Sequence, residues 1–221
     1  MEYFEDGFAS WSINSGADSL TYDEFLNLSA ASYLDRVRNM LHELERVLLL
    51  FEDFNLFNVK SVSIGDTELF FSNEKDFADK IHEAIKLNDS KRITSIWCTG
   101  KTGIYQSGEL NYVDDIVRIG YEFFIDLISV DLFTDVWMPI SPELQSEIIE
   151  DAKINSLRLE ALLRTLKSNR FKINPDEGEV YYEFIAEQIG FRMFYPKTTL
   201  ENIKKEFLPS LKEFIKRDQL A

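Results

Sequence analysis

The sequence predicts an α+β fold: one domain spanning residues 1–221, in which an antiparallel sheet is covered by helices, with a long helix near the N-terminus and another at the C-terminus. Three observations predict it. Apolar residues recur at three- and four-residue spacing towards both ends of the chain, whereas the stretch from Arg92 to Pro139 is rich in β-branched and aromatic residues. No linker or internal repeat divides the chain, and 45% hydrophobic with 14% aromatic residues is ample for a packed core.

Each element has its own signal. Thr21-x-x-Glu24 is a capping box, and Tyr33, Leu34, Val37, Met40, Leu41, Leu44, Val47, Leu48 and Phe51 form an apolar stripe, so a helix is expected over 21–53. VKSVSI and TELFFS flank Gly65-Asp66, which predicts a hairpin over 59–72. Asn73 is placed to cap a helix that buries Phe77, Ile81 and Ile85 and runs to residue 88. Strands are expected near 92–98, 110–119 and 121–133. A single strand over 116–137 would be about 70 Å long, so breaks are expected at Gly120 and near Thr134. Ser141-Pro142-Glu143 starts a helix whose stripe, Leu144, Ile148, Ala152, Leu159, Leu162 and Leu166, carries it to 168. The chain is expected to turn at Asn174-Pro175-Asp176-Glu177-Gly178, to form a strand pair over 179–196, and to end in a helix begun by Thr198-x-x-Glu201 and kinked at Pro209.

Several chemistries are disfavoured by the residues present. Gly100-Lys101-Thr102 has the ending of a phosphate-binding loop, but the first glycine position of that motif is Ser95 and no helical period follows Thr102, so Thr99–Gly103 reads as a turn between strands. His42 and His82 lie on separate predicted helices without zinc-ligand spacing, and the single Cys98 sits in an apolar run as a small buried hydrophobe. No catalytic residue, metal site or cofactor is therefore assigned. No stretch approaches a membrane span and the first ten residues are acidic where a secretion signal is basic, which points to a cytoplasmic protein. The net charge is −15, and residues 109–151 hold 11 acids against one base, Arg118. Nucleic acid is a poor ligand for such a chain, and a basic protein surface is its natural opposite.

Asn155 falls on the apolar stripe of the 142–168 helix, where its amide must find backbone partners in a neighbouring segment, with Arg158 one turn on beside it. Asp135-Val136-Trp137-Met138-Pro139, followed by Asn155-Ser156-Leu157-Arg158-Leu159 and Leu162-Leu163, resembles the Asp-x-Trp-x-Pro … Asn-x-x-Arg-Leu pattern of small bacterial proteins of the polymorphic-toxin immunity type. The resemblance implies a non-enzymatic inhibitor that binds and blocks a cognate toxin. Contact with a basic partner is then expected from Asp126, Asp131, Asp135, Glu143, Glu147, Glu150 and Asp151, with Trp137 as an anchor. Two other readings stay open at this stage: an acidic adaptor or regulatory domain that binds some other protein, and an enzyme using a pair of carboxylates.

Overall fold

The computed structural model describes residues 9–71, 77–87, 92–137 and 150–175. The capping box forms as the sequence implies. Thr21 Oγ1 accepts the Glu24 amide at 3.2 Å, and the Glu24 carboxylate accepts the Thr21 amide at 2.8 Å. Hydrogen bonds donated to the carboxylate by the Thr21 amide, and secondarily by the Thr21 hydroxyl, hold the Glu24 carboxyl below its usual range. They start a helix of one turn only, α1 (Tyr22–Leu26), and not the 21–53 helix expected. Ser29 interrupts it: in an extended conformation its hydroxyl accepts the Ser32 amide at 3.1 Å and begins a second helix, α2 (Ala30–Asp53). The α2 stripe from Tyr33 to Phe51 is buried as the periodicity requires, and α3 (Phe77–Leu87) packs along α2 with Phe77, Ile81 and Ile85 inward.

Eight described strands form one antiparallel sheet. They are β1 (Ala9–Asn14), β2 (Asn58–Ile64), β3 (Thr67–Phe70), β4 (Ser95–Gln106), β5 (Glu109–Asp114), β6 (Val117–Glu122), β7 (Leu127–Leu132) and β8 (Lys172–Pro175). The order is β3-β2-β4-β6-β7-β1-β8, with β5 paired to β4 beyond the end of β6. Alternation gives the sheet two unlike faces. One row across it runs Ile64, Ile96, Tyr121, Ile128, Ile13, all buried in the core that α2 contributes to. The next row runs Ser63, Trp97, Gly120, Ser129, Ser12 on the opposite face. A last described helix, α4 (Glu150–Ser168), packs on β4 and on a short 3-10 turn at Asp135–Trp137.

Three sequence expectations need correction here. Thr99–Gly103 is not a turn but the middle of β4, the longest strand. Its glycines serve close approach: a Cβ on Gly100 would run into the Asn58 carbonyl oxygen, and one on Gly103 into that of Asn55. Gly120 likewise breaks nothing. It sits inside β6 opposite Trp97, whose ring occupies the space a side chain would need. The break falls instead at Asp115, which adopts a positive φ of 59° and separates β5 from β6, while Phe123–Asp126 turns the chain into β7. Asn174 and Pro175 belong to β8 and pair with β1, a strand that the sequence did not announce. The helix start at Ser141–Glu143, the strand pair over 179–196 and the C-terminal helix lie outside the described residues.

Candidate functional site

Of the acids expected to contact a partner, three have described side chains, Asp126, Asp131 and Asp151, and they lie in different surroundings. Asp126 is 1% exposed, because its positive φ of 53° turns the carboxylate inward. There it accepts the Ser15 hydroxyl at 2.9 Å, the Gly16 and Ala17 amides at 2.9 and 2.8 Å and the Tyr121 hydroxyl at 2.7 Å. Burial, reinforced by this carboxylate, pushes the Tyr121 phenol far above its usual range. Asp126 is thus a structural knot between the β1 exit and the β6–β7 turn, and it is unavailable as a contact. Trp137, also 1% exposed, belongs to the core beneath α4 and anchors no partner. Asp131 is 17% exposed and lies 3.4 Å from Arg118, whose guanidinium stacks on Trp97 and Phe133. The side chains of Asp135, Glu143, Glu147 and Glu150 lie outside the described residues.

Asp151 leads to the region where exposed acids do gather. Its two oxygens accept the Ser107 amide at 2.5 Å and the Gly108 amide at 3.1 Å, pinning the β4–β5 turn to α4. Both turn residues have positive φ, 56° and 79°, the pairing that matches the twist of a two-residue hairpin. One helical turn along, Asn155 does what its place on the stripe demanded: Oδ1 accepts the Tyr105 amide at 2.7 Å, and Nδ2 donates to the Tyr105 and Val136 carbonyls at 3.1 and 3.3 Å. Arg158 donates to the carbonyls of Gly103, Phe54 and Asn55 at 3.0, 2.7 and 2.7 Å and stacks over the Tyr105 ring. Burial among these groups pulls its guanidinium below the ordinary arginine range. Because β2 stops opposite Lys101, this pair of side chains replaces a neighbouring strand along the remainder of β4.

The result is a braced two-stranded arm, the C-terminal half of β4 with β5. Glu109, Asp114 and Asp115 are exposed on it, with Lys60 3.5 Å from Asp114. Tyr105, Leu110 and Tyr112 share one face, since Tyr105 lies opposite Leu110 and Gly103 opposite Tyr112. Leu110 is 36% and Tyr112 50% exposed. Sequence reasoning located the acidic block but not these two residues as its apolar centre; the alternation in ELNYVD was the available signal. The arm is equipped to bind, through aromatic and aliphatic area ringed by carboxylates.

Elsewhere among the described residues, reactive groups are few or paired. An open cleft of about 460 Å³ lined by Ser15, Glu43, Arg46 and Ser168–Phe171 holds one carboxylate, Glu43, which is paired with Arg46 at 2.6 Å. Burial raises the Cys98 thiol well above its ordinary value and keeps it from forming a nucleophilic thiolate. Among the described residues no group of three or more His, Cys, Asp or Glu side chains is placed to hold a metal, and no helix is long and apolar enough to cross a membrane. Compared with family models, curated proteins and solved structures, the chain matches none.

Proposed function

We propose that this is a non-enzymatic binding protein of the toxin-neutralising immunity type, which occludes a basic protein partner through its acidic arm and the block that follows it. The observation that carries the reading is the β4–β5 arm itself. Leu110 and Tyr112 are left exposed among Glu109, Asp114 and Asp115 on β5, which pairs with a β4 segment and turn braced by Asp151, Asn155 and Arg158. A rigid support of this kind lowers the ordering cost of association, and exposed tyrosine is a favoured interface residue. Asp131, Asp135, Glu143, Glu147 and Glu150 extend the candidate contact set, whereas Asp126 and Trp137 leave it. The cytoplasm, where a toxin of this class would act, is the proposed location.

The test begins with the basic protein that co-purifies from the native host and measures its association with wild type and with Glu109→Gln/Asp114→Asn/Asp115→Asn. Complementary charge chiefly accelerates encounter, so wild-type association should slow as salt rises and the neutralised variant should start slow and lose that dependence. Equal rates for both proteins at low and high salt, with equal protection of cells, would remove the reading's support.

A further inference from the structure

We infer that the outer edge of β5 is a docking edge for an extended, basic segment of the partner, which adds to the sheet as a further strand. The inference rests on the binding reading above and specifies how the arm is used. In an antiparallel pair, residues directly opposite each other either bond one another or turn their amides and carbonyls away on both sides. The Tyr105 amide and carbonyl go to Asn155, and the Gly103 carbonyl goes to Arg158, all on the side of β4 away from β5. Tyr105 opposite Leu110 and Gly103 opposite Tyr112 are therefore the non-bonded pairs. It follows that the N–H and C=O groups of Leu110 and Tyr112 point outward along the free edge, and among the described residues β5 pairs with β4 alone.

This edge lacks the usual protections. It carries no proline, no lysine and no bulge between Glu109 and Asp114, and Leu110 and Tyr112 present exposed side chains beside their open backbone groups. A strand added here places alternate side chains against Leu110 and Tyr112, and the residues between them on the face of Glu109 and Asn111. Charge selects the occupant. Glu109 at one end and Asp114 and Asp115 at the other favour lysine or arginine on the incoming strand. A second copy of this chain paired antiparallel through the same edge would bring Glu109 of one copy towards the Asp114–Asp115 end of the other, so like charges oppose self-pairing.

The probe is a fluorescent nine-residue peptide of alternating lysine and valine, added to the whole protein at low salt. In the docked register the valines lie opposite Leu110 and Tyr112 and their amides face the edge, while the lysine amides face solvent. N-methylation of the two central valines should weaken binding about tenfold or more, and N-methylation of two lysines should leave it nearly unchanged. Glutamate in place of lysine should abolish binding. On the protein, binding should slow hydrogen exchange at the Leu110 and Tyr112 amides, and Leu110→Pro, which removes an edge donor but no bond to β4, should mimic valine methylation. Equal binding by the two methylated peptides, unchanged exchange at both amides, or a dimer of this chain that the peptide displaces would overturn the proposal. Loss of salt-dependent partner association in the three-acid variant together with equal binding of the methylated peptides would sink the edge and leave the acidic-arm reading standing. Edge-specific peptide binding with no associating basic protein would do the reverse.

Discussion

Asn155 and Arg158 replace a missing strand with six hydrogen bonds to main-chain groups, and their cost of removal follows from what is stranded. Asn155→Leu leaves the Tyr105 amide and carbonyl unpaired at a part-buried position and should destabilise by about 1–3 kcal/mol in urea unfolding. Three carbonyl partners now predict that Arg158→Lys is also costly, by roughly 1–2 kcal/mol, because an ammonium cannot span the fan of Gly103, Phe54 and Asn55. A lysine variant as stable as wild type would show that the bonds are dispensable. A pH prediction belongs to Tyr33 and Tyr121. Burial raises both phenols above their usual value in the folded state, so each contributes stability that is complete below about pH 10 and is lost as pH rises towards the folded value. Stability should fall above about pH 10, and Tyr33→Phe/Tyr121→Phe should flatten that fall relative to its own neutral-pH value.

Elements were legible where periodicity and capping agreed. The α2 stripe, the α3 stripe and the β2–β3 hairpin need no tertiary information, and neither does the capping of α1. Glycine misled, because its local meaning as a turn former and its tertiary meaning as a place of close approach look identical in one dimension. Gly100, Gly103 and Gly120 are all of the second kind, set by residues 23 to 48 positions away, such as Asn58 for Gly100 and Trp97 for Gly120. β1 and β8 escaped notice since each is short and pairs only with strands remote in sequence, β1 with β7 and β8, and β8 with β1. The prediction at this scale is that Gly103→Ala displaces the Phe54–Asn55 loop and destabilises by about 1–3 kcal/mol, as overpacking does. An exposed turn position such as Gly108, where nothing crowds the added carbon, is held by positive φ alone and should lose only about 1 kcal/mol with alanine. The loss at Gly103 should exceed that at Gly108, and a Gly103→Ala loss no larger than the Gly108→Ala loss would refute the packing argument.

For the whole molecule, a charge of −15 means self-repulsion in the compact state. Few of the described ion pairs are shielded from water, so their own contribution is small and salt removes little by screening them. The melting temperature should therefore rise between about 10 mM and 150 mM salt as repulsion is screened; a fall would mean that attractive pairs dominate. The acidic total was readable in the sequence, but its distribution was not. Which carboxylates face water depends on details such as the positive φ of Asp126, and those are fixed only when Ser15 to Ala17 meet the β6–β7 turn. The same long-range closure sets a clock for the newborn chain. β1 finds its first partner in β7, with Ala9 opposite Leu132, and its second in β8. A ribosome adding about 5–20 residues per second needs on the order of ten seconds to make the intervening chain. Throughout that interval Trp11 and Ile13 are synthesised but homeless, while the α2–β2–β3 segment can already assemble, so among the described strands β1 is the one on which a chaperone has the longest time to act.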